Sequence, residues 1–126
     1  MPRCRLRKSG FHFNALHSFP GDDGLDAQPH GHDYELALLL EGAPQSGKML
    51  FDARRLTELA QREVIAALDH QDLNRLLPYP SAEALAEWIW RRLRPHLPAQ
   101  LRLGIELWET PRLGLEYWGD ETAADA

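Results

Sequence analysis

The stretch that decides the fold is Pro29-His30-Gly31-His32-Asp33-Tyr34, followed directly by Glu35-Leu36-Ala37-Leu38-Leu39-Leu40. Its alternating start and apolar continuation predict a β-strand, in which residues i and i+2 project from the same face. His30 and His32 are then expected to point the same way and to lie close together. Two imidazoles so placed suit two ligands of one metal ion.

A second alternating segment supplies the third candidate ligand, His17. It runs from Phe11 to His17, and a strand there puts Phe11, Phe13, Ala15 and His17 on one face. Three neutral imidazoles with an open fourth position are typical of a catalytic zinc site. A second interpretation stays open, in which the histidines are surface or hydrogen-bonded residues, because the sequence does not show that the two strands pair.

Length and composition limit the class of protein. The 126 residues predict one domain spanning 1–126, with 44% hydrophobic and 26% charged residues as in a soluble globular protein. A net charge of −5 argues against nucleic acid and anionic membrane as partners. The single cysteine, Cys4, excludes an internal disulfide framework. The basic start lacks the apolar run of a signal peptide, so a cytoplasmic location is expected.

The remaining patterns predict the order ββααββ, an α+β fold. Strands over 5–17 and 30–42 form an antiparallel pair, a short extended piece covers 48–51, and Asp52 and Ser81 cap two amphipathic helices. Strands over 101–108 and 114–118 close the fold, and 119–126 is expected to be a flexible tail.

Two further places could carry chemistry. Glu109 continues the apolar face of the strand before it, so its carboxylate needs a partner such as a ligand with adjacent N–H donors, unless the strand has ended and Glu109 is a solvated turn residue. Asp69-His70 could be an acid–base pair. The alternative is a histidine that favourably ends a helix.

Six ordered motifs carry a family resemblance. They are Phe13-Asn14-Ala15-Leu16-His17, His30-Gly31-His32, Gly47-Lys48-Met49-Leu50-Phe51-Asp52, Leu68-Asp69-His70-Gln71-Asp72-Leu73-Asn74, Pro80-Ser81-Ala82-Glu83-Ala84-Leu85-Ala86 and Glu109-Thr110. With these motifs, about residues 10–118 resemble the 6-pyruvoyl tetrahydropterin synthase / 6-carboxytetrahydropterin synthase family. The resemblance implies the tunnelling fold, an antiparallel sheet backed by two helices, whose subunits form a barrel, here a homohexamer built from two trimers.

The resemblance also implies a role for each motif residue. His17, His30 and His32 would bind zinc, Glu109 would hold the amino-pyrimidine edge of a pterin, and Asp69 and His70 would belong to a catalytic relay. The substrate of the family is dihydroneopterin triphosphate. The leading hypothesis is therefore a zinc-dependent lyase resembling 6-carboxytetrahydropterin synthase, on the route to queuosine.

One position departs from the family pattern. The family usually carries a catalytic cysteine four residues before the first histidine of His30-Gly31-His32, and here that residue is Asp26. A related branch carries Glu near this point and cleaves the pterin side chain to 6-hydroxymethyl-dihydropterin for folate synthesis. That reaction and a pterin-binding protein without turnover are the alternatives. Asp26 is interpreted as the catalytic base, or else as a solvated residue of a Gly- and Asp-rich loop.

Overall fold

The computed structural model describes residues 3–22 and 24–119, and its centre is a long antiparallel pair. Strand β1 (Cys4–His17) pairs with β2 (His30–Gly42), with Ala15 opposite His32 and His17 opposite His30. The pairing shifts between Lys8 and Phe11, at Gly10, whose φ of +93° suits a glycine bulge. The predicted hairpin is confirmed, and it brings the ends that carry the histidines side by side.

Three shorter strands extend this pair. Strand β4 (Arg102–Thr110) is antiparallel to β2, and β5 (Leu113–Tyr117) is antiparallel to β4. With a third, two-residue strand, β3 (Gln71–Asp72), the order within the described residues is β3-β1-β2-β4-β5. Strand β3 (Gln71–Asp72), which the sequence did not predict, pairs parallel to β1 and departs from an all-antiparallel sheet.

Both predicted helices form, and both begin at the expected caps. The first covers Ala53–Ala60, continues as a π-helical turn over Gln61–Ile65 and ends with Ala66–Leu68. The second covers Ala82–Leu93. The side chains of Asp52 and Ser81 accept hydrogen bonds from the backbone N–H groups of Arg54 and Ala84, which stabilises the first turns.

The helices cover one face of the sheet, and the core lies between the two layers. Period-two alternation directs one side of each long strand into it, as the sequence predicts. The buried strand residues are Phe11, Phe13, Ala15, Leu36, Leu38, Leu40, Leu103, Ile105 and Leu107, and the buried helix residues include Leu56, Val64, Leu68, Leu85, Ile89 and Leu93.

The other face of the sheet carries paired charges. Glu41 accepts hydrogen bonds from Arg5 and from Arg102, and Arg7 binds both carboxylate oxygens of Glu106 at 2.9 and 3.0 Å. These ion pairs hold down the pKa of both carboxyl groups, chiefly through their hydrogen bonds to Arg5 and Arg7. This open face therefore differs in chemistry from the helix-covered one.

One predicted segment differs from expectation, and a second lies almost wholly outside the described residues. Residues 48–51 contain bends at Lys48, Leu50 and Phe51 in place of an extended piece, because a 3-10 turn at Gln45–Gly47 and the cap at Asp52 leave little chain to extend. The flexible tail predicted for 119–126 lies outside the described residues except for Gly119. Among the described helices, none has the length and apolar character needed to cross a bilayer.

Candidate metal centre

The three predicted histidines meet at one end of the β1–β2 pair. One potential ligand atom from each of His17, His30 and His32 lies within 4.8 Å of the others. Because His17 is opposite His30 in the ladder and His32 is two residues further along, all three project into one space. The side chain of His17 is fully buried, and that of His32 is 20% exposed.

Backbone carbonyl groups fix the orientation of two of these rings. His17 Nδ1 lies 2.9 Å from the carbonyl oxygen of Pro80, and His30 Nδ1 lies 2.9 Å from that of Gln28. A carbonyl oxygen can only accept, so both Nδ1 atoms carry the proton and both Nε2 atoms keep a free lone pair. This arrangement, with the far nitrogen donating to a carbonyl, is typical of metal-binding histidines.

Glu109 completes the cluster from β4. Its Oε1 atom lies 2.9 Å from His32 Nε2 and 3.5 Å from His17 Nε2. The β4–β5 pairing shifts between Trp108 and Thr110, which makes Glu109 the extra residue of a bulge. Bulges commonly redirect a side chain next to a functional site. The sequence predicted the apolar side of β4 for Glu109 but gave no sign of the bulge.

Two imidazole nitrogens of the cluster lie beside a carboxylate and have no hydrogen-bond partner of their own within the described residues. Within the described residues, His17 Nε2 and His32 Nε2 are buried and have no hydrogen-bond partner of acceptable geometry, although Glu109 is close. Burial lowers the pKa of His32 more than the Glu109 carboxylate raises it, which disfavours an imidazolium there. Unpaired lone pairs beside a carboxylate are stabilised by a cation. The residues therefore fit a divalent metal ion.

Tyr34 supports the same cluster and was not singled out from the sequence. It is buried, stacks on Phe13 with ring centroids 4.8 Å apart, and its hydroxyl lies 3.4 Å from His17 Nδ1. Burial and the charge of Glu109 raise the pKa of this hydroxyl, so it stays protonated. The sequence could have indicated this position of Tyr34, because residues 30, 32 and 34 share one face of β2.

Asp26 lies on the loop that joins β1 to β2. It belongs to a 3-10 turn over Gly24–Ala27, and its side chain is exposed. The charge of Asp26 acts on His32, where it is one of the smaller influences raising the pKa of that imidazole. Within the described part of the chain, no hydrogen bond or ion pair joins the Asp26 side chain to the three histidines.

Asp69 and His70 lie elsewhere, along the outer edge of β1. The carboxylate of Asp69 accepts from the Asn14 N–H at 2.9 Å, and the His70 N–H donates to the Asn14 carbonyl at 2.6 Å. The His70 side chain is 80% exposed, and its φ of +61° is uncommon for a residue other than glycine. Within the described residues, neither side chain contacts the three histidines.

A cavity of about 670 Å³ opens beside the metal centre. It runs from His32 and Glu109 onto the open face of the sheet, where Glu106 and Trp108 line it. That volume lies within the range of small-molecule sites. The arrangement can hold a metal ion and a small molecule beside it, with the Glu109 carboxylate lining the cavity.

Comparison with known proteins gives consistent results. The family model described as 6-pyruvoyl tetrahydropterin synthase matches residues 5–120. A dihydroneopterin monophosphate aldolase of Pyrococcus furiosus is 34% identical over 105 residues, which cover 82% of this chain and 89% of the relative. A Pyrococcus abyssi protein, provisionally assigned as a 6-carboxy-5,6,7,8-tetrahydropterin synthase, is 28% identical over 66% of this chain and 69% of its own length.

A solved structure agrees in fold. The 6-pyruvoyl tetrahydropterin synthase of Caenorhabditis elegans superposes with a TM-score of 0.77 over 95% of this chain and 98% of its own, at 23% identity. At this identity the likeness concerns the fold alone, and it agrees with the five-stranded sheet backed by two helices.

Proposed function

The chain belongs to the 6-pyruvoyl tetrahydropterin synthase family, and from that premise we propose that it is a zinc-dependent lyase cleaving the side chain of a phosphorylated dihydroneopterin to 6-hydroxymethyl-dihydropterin. The observation that carries the proposal is the carboxylate of Asp26, on the turn that leads into His30, at the position where the resemblance expects a cysteine. The Pyrococcus furiosus aldolase, at 34% identity, supports the same reaction class. A cytoplasmic location stays a prediction from composition.

The chemistry of a carboxylate favours this cleavage over the synthase reactions. A carboxylate is a weaker base than a thiolate. It is therefore better suited to taking a proton from a hydroxyl group than from carbon. In the proposed step, Asp26 accepts the proton of the side-chain 2′-hydroxyl. The bond between C1′ and C2′ breaks, C2′ leaves as an aldehyde, and C1′, whose electron pair is delocalised into the pterin ring, takes up a proton.

The zinc would be held by His17, His30 and His32, and the carbonyl contacts at Nδ1 leave the Nε2 lone pairs of His17 and His30 available for it. When bound, zinc would make the substrate hydroxyl groups more acidic. Pro80 and Gln28 keep the two ring tautomers correct through their carbonyl groups. Tyr34, buried behind His17, excludes water from the far side of that ring.

Glu109 is proposed to bind the pterin. A carboxylate with two accepting oxygens matches the adjacent N–H donors of an amino-pyrimidine ring, and such charge-assisted pairs are strong and directional. Its side chain is only 14% exposed and faces the cavity of about 670 Å³. A ligand that supplies N–H donors would also compensate its partial burial.

Asp69 and His70 are proposed to act in a site completed by another subunit, because in their own chain they lie at the outer edge of β1. In the described residues, β3 and β5 are the outer strands of the five-stranded sheet, and proteins generally cover such edges. A homohexamer that closes the sheets into a barrel would cover them and could bring these residues to a neighbouring metal centre.

Product analysis tests the proposal. Zinc-loaded protein is incubated with dihydroneopterin monophosphate and, separately, with the triphosphate, and the pterin products are separated by chromatography. We expect 6-hydroxymethyl-dihydropterin together with glycolaldehyde phosphate from the monophosphate. Formation of 6-carboxytetrahydropterin would instead favour the second candidate, a synthase activity, which the Pyrococcus abyssi relative supports. Ligand binding without any product would overturn both in favour of a pterin-binding protein.

A further inference from the structure

The loop that carries Asp26 contacts Tyr79, which lies 50 to 60 residues further along the chain. The Tyr79 hydroxyl donates to Asp22 Oδ2 at 2.8 Å, and its ring stacks on Phe19 with centroids 4.8 Å apart at 29°. The backbone N–H of Phe19 donates to the Asp26 carbonyl at 2.8 Å. Tyr79 is therefore joined to Asp26 through Phe19, and to the same loop a second time through Asp22.

The loop is held separately at its beginning. Asn74 accepts from the Ser18 N–H at 2.9 Å and donates to the Ser18 carbonyl at 3.0 Å. These bonds fix the backbone where it leaves β1 but make no contact with the turn around Asp26. Tyr79 supplies the contacts nearer that turn.

Phe19 also touches the metal centre. Its ring lies 4.7 Å from that of His17 and 6.3 Å from that of His30, centroid to centroid. The residue after Tyr79, Pro80, accepts the hydrogen bond from His17 Nδ1. The short segment Pro78-Tyr79-Pro80 thus fixes a metal-binding ring with one residue and the Asp26 loop with its neighbour.

The charges agree with this geometry. The hydrogen bond to Asp22 is the largest influence raising the pKa of the Tyr79 hydroxyl, and the charge of Asp26 adds to it. Tyr79 is therefore a proton donor at neutral pH.

We propose that Tyr79 is a positioning residue, which holds Asp26 at the reaction site through the Phe19 stack and the Asp22 hydrogen bond. The inference rests on the proposed function, because it gives Asp26 the role of base. It adds a residue outside the metal and pterin contacts. A loop held in one geometry gives a positioned base, whereas misplacement by about 1 Å can cost about 100-fold in rate.

Amide hydrogen exchange tests the attachment without any turnover. In Tyr79→Ala the Phe19 amide, which is bonded to Asp26, is expected to exchange at least about 5-fold faster, because local opening becomes easier. Tyr79→Phe keeps the stack and should show a smaller increase. Leu76→Ala is the matched control, since Leu76 is similarly exposed at 43% on the same connection. Unchanged exchange in both Tyr79 variants would overturn the proposal.

A double-mutant cycle tests the positioning role. Tyr79→Ala is expected to lower kcat about 10- to 100-fold with zinc stoichiometry unchanged, and Asp22→Asn, which keeps an accepting oxygen, should retain most activity. In the Asp26→Asn background, Tyr79→Ala should have no further effect on kcat, because both act through one group. Equal fold-losses in both backgrounds would show that Tyr79 does not act through Asp26.

The two hypotheses fail separately. If Asp26→Asn turns over at the wild-type rate, the assignment of the base fails, while the exchange of the Phe19 amide still decides whether Tyr79 holds the loop. Should Tyr79→Ala fail to fold, Tyr79→Phe and Asp22→Ala probe the same hydrogen bond with smaller changes. Wild-type exchange and kcat in both of these would refute the attachment.

Discussion

The metal centre and the corner formed by Asn14, Asp69 and His70 both adjoin β1. They differ in how far contacts within the chain bury and orient their side chains. At the metal centre His17 is buried, and carbonyl groups already orient two rings. At the corner, backbone bonds to Asn14 hold the chain, but the His70 side chain is 80% exposed. The difference agrees with the proposal of a metal-binding half that is preorganised within the chain and a second half that another subunit completes.

The strongest test of the preorganised half removes a metal ligand. His32→Ala is expected to weaken zinc binding by at least about 100-fold, more than the loss of a supporting contact would, and to abolish turnover. Wild-type protein purified without a histidine tag should hold about one zinc per chain and lose it on chelation. His96→Ala, far from the cluster, is the control. Metal analysis that finds no zinc in the wild-type protein would refute the assignment.

The next test separates metal binding from proton transfer. Asp26→Asn is expected to lower kcat about 1,000-fold, within the usual range for a lost general base, while zinc and pterin affinity stay near wild type. Asp26→Cys should shift the products toward 6-carboxytetrahydropterin. Steady-state kinetics measures kcat, and calorimetric titration measures the pterin affinity. Wild-type turnover in Asp26→Asn would show that another group is the base.

A mixing experiment sharpens the contrast between the two halves. His70→Ala is expected to lower kcat about 100-fold with zinc affinity unchanged. If sites are shared between subunits, co-refolding His70→Ala with His32→Ala should restore part of the activity, because some sites then receive an intact half from each chain. Light scattering checks that mixed oligomers form. Stable monomers at micromolar concentration, or no recovery in confirmed mixed oligomers, would contradict the shared site.

The smallest expected effect concerns the backbone at the corner. His70 has φ +61°, a conformation that costs about 1 kcal/mol for residues with a Cβ and little for glycine. His70→Gly should therefore be more stable than His70→Ala by about that amount, although both lack the imidazole. Urea denaturation followed by circular dichroism measures the difference. If the alanine variant is equally stable, the corner holds no backbone strain.

Local patterns were enough to predict the frame of the metal centre. Alternation put Phe11, Phe13, Ala15 and His17 on one face of β1, and the structure confirms this and shows that the face is buried. The caps at Asp52 and Ser81 were also predicted, because a cap depends on residues only a few positions away.

Contacts between distant residues could not be predicted in the same way. The Pro80 carbonyl meets His17 across 63 positions, and the Tyr79 hydroxyl meets Asp22 across 57. Neither leaves a periodic signal. The bulge at Glu109 arises from a mismatch between two strands, which a single strand's pattern does not contain.

The two carbonyl groups that orient His17 and His30 affect how the site tolerates sequence changes during evolution. They belong to the backbone of Pro80 and Gln28, so substitutions at those positions leave the acceptors in place as long as the chain keeps its path. Substitutions at Pro80 and Gln28 are therefore expected to leave the orientation of the His17 and His30 rings unchanged. Asp26, whose proposed contribution is its side chain, has no such protection. Under the proposed function, a substitution at position 26 would change the reaction and leave the three histidines and their carbonyl contacts in place.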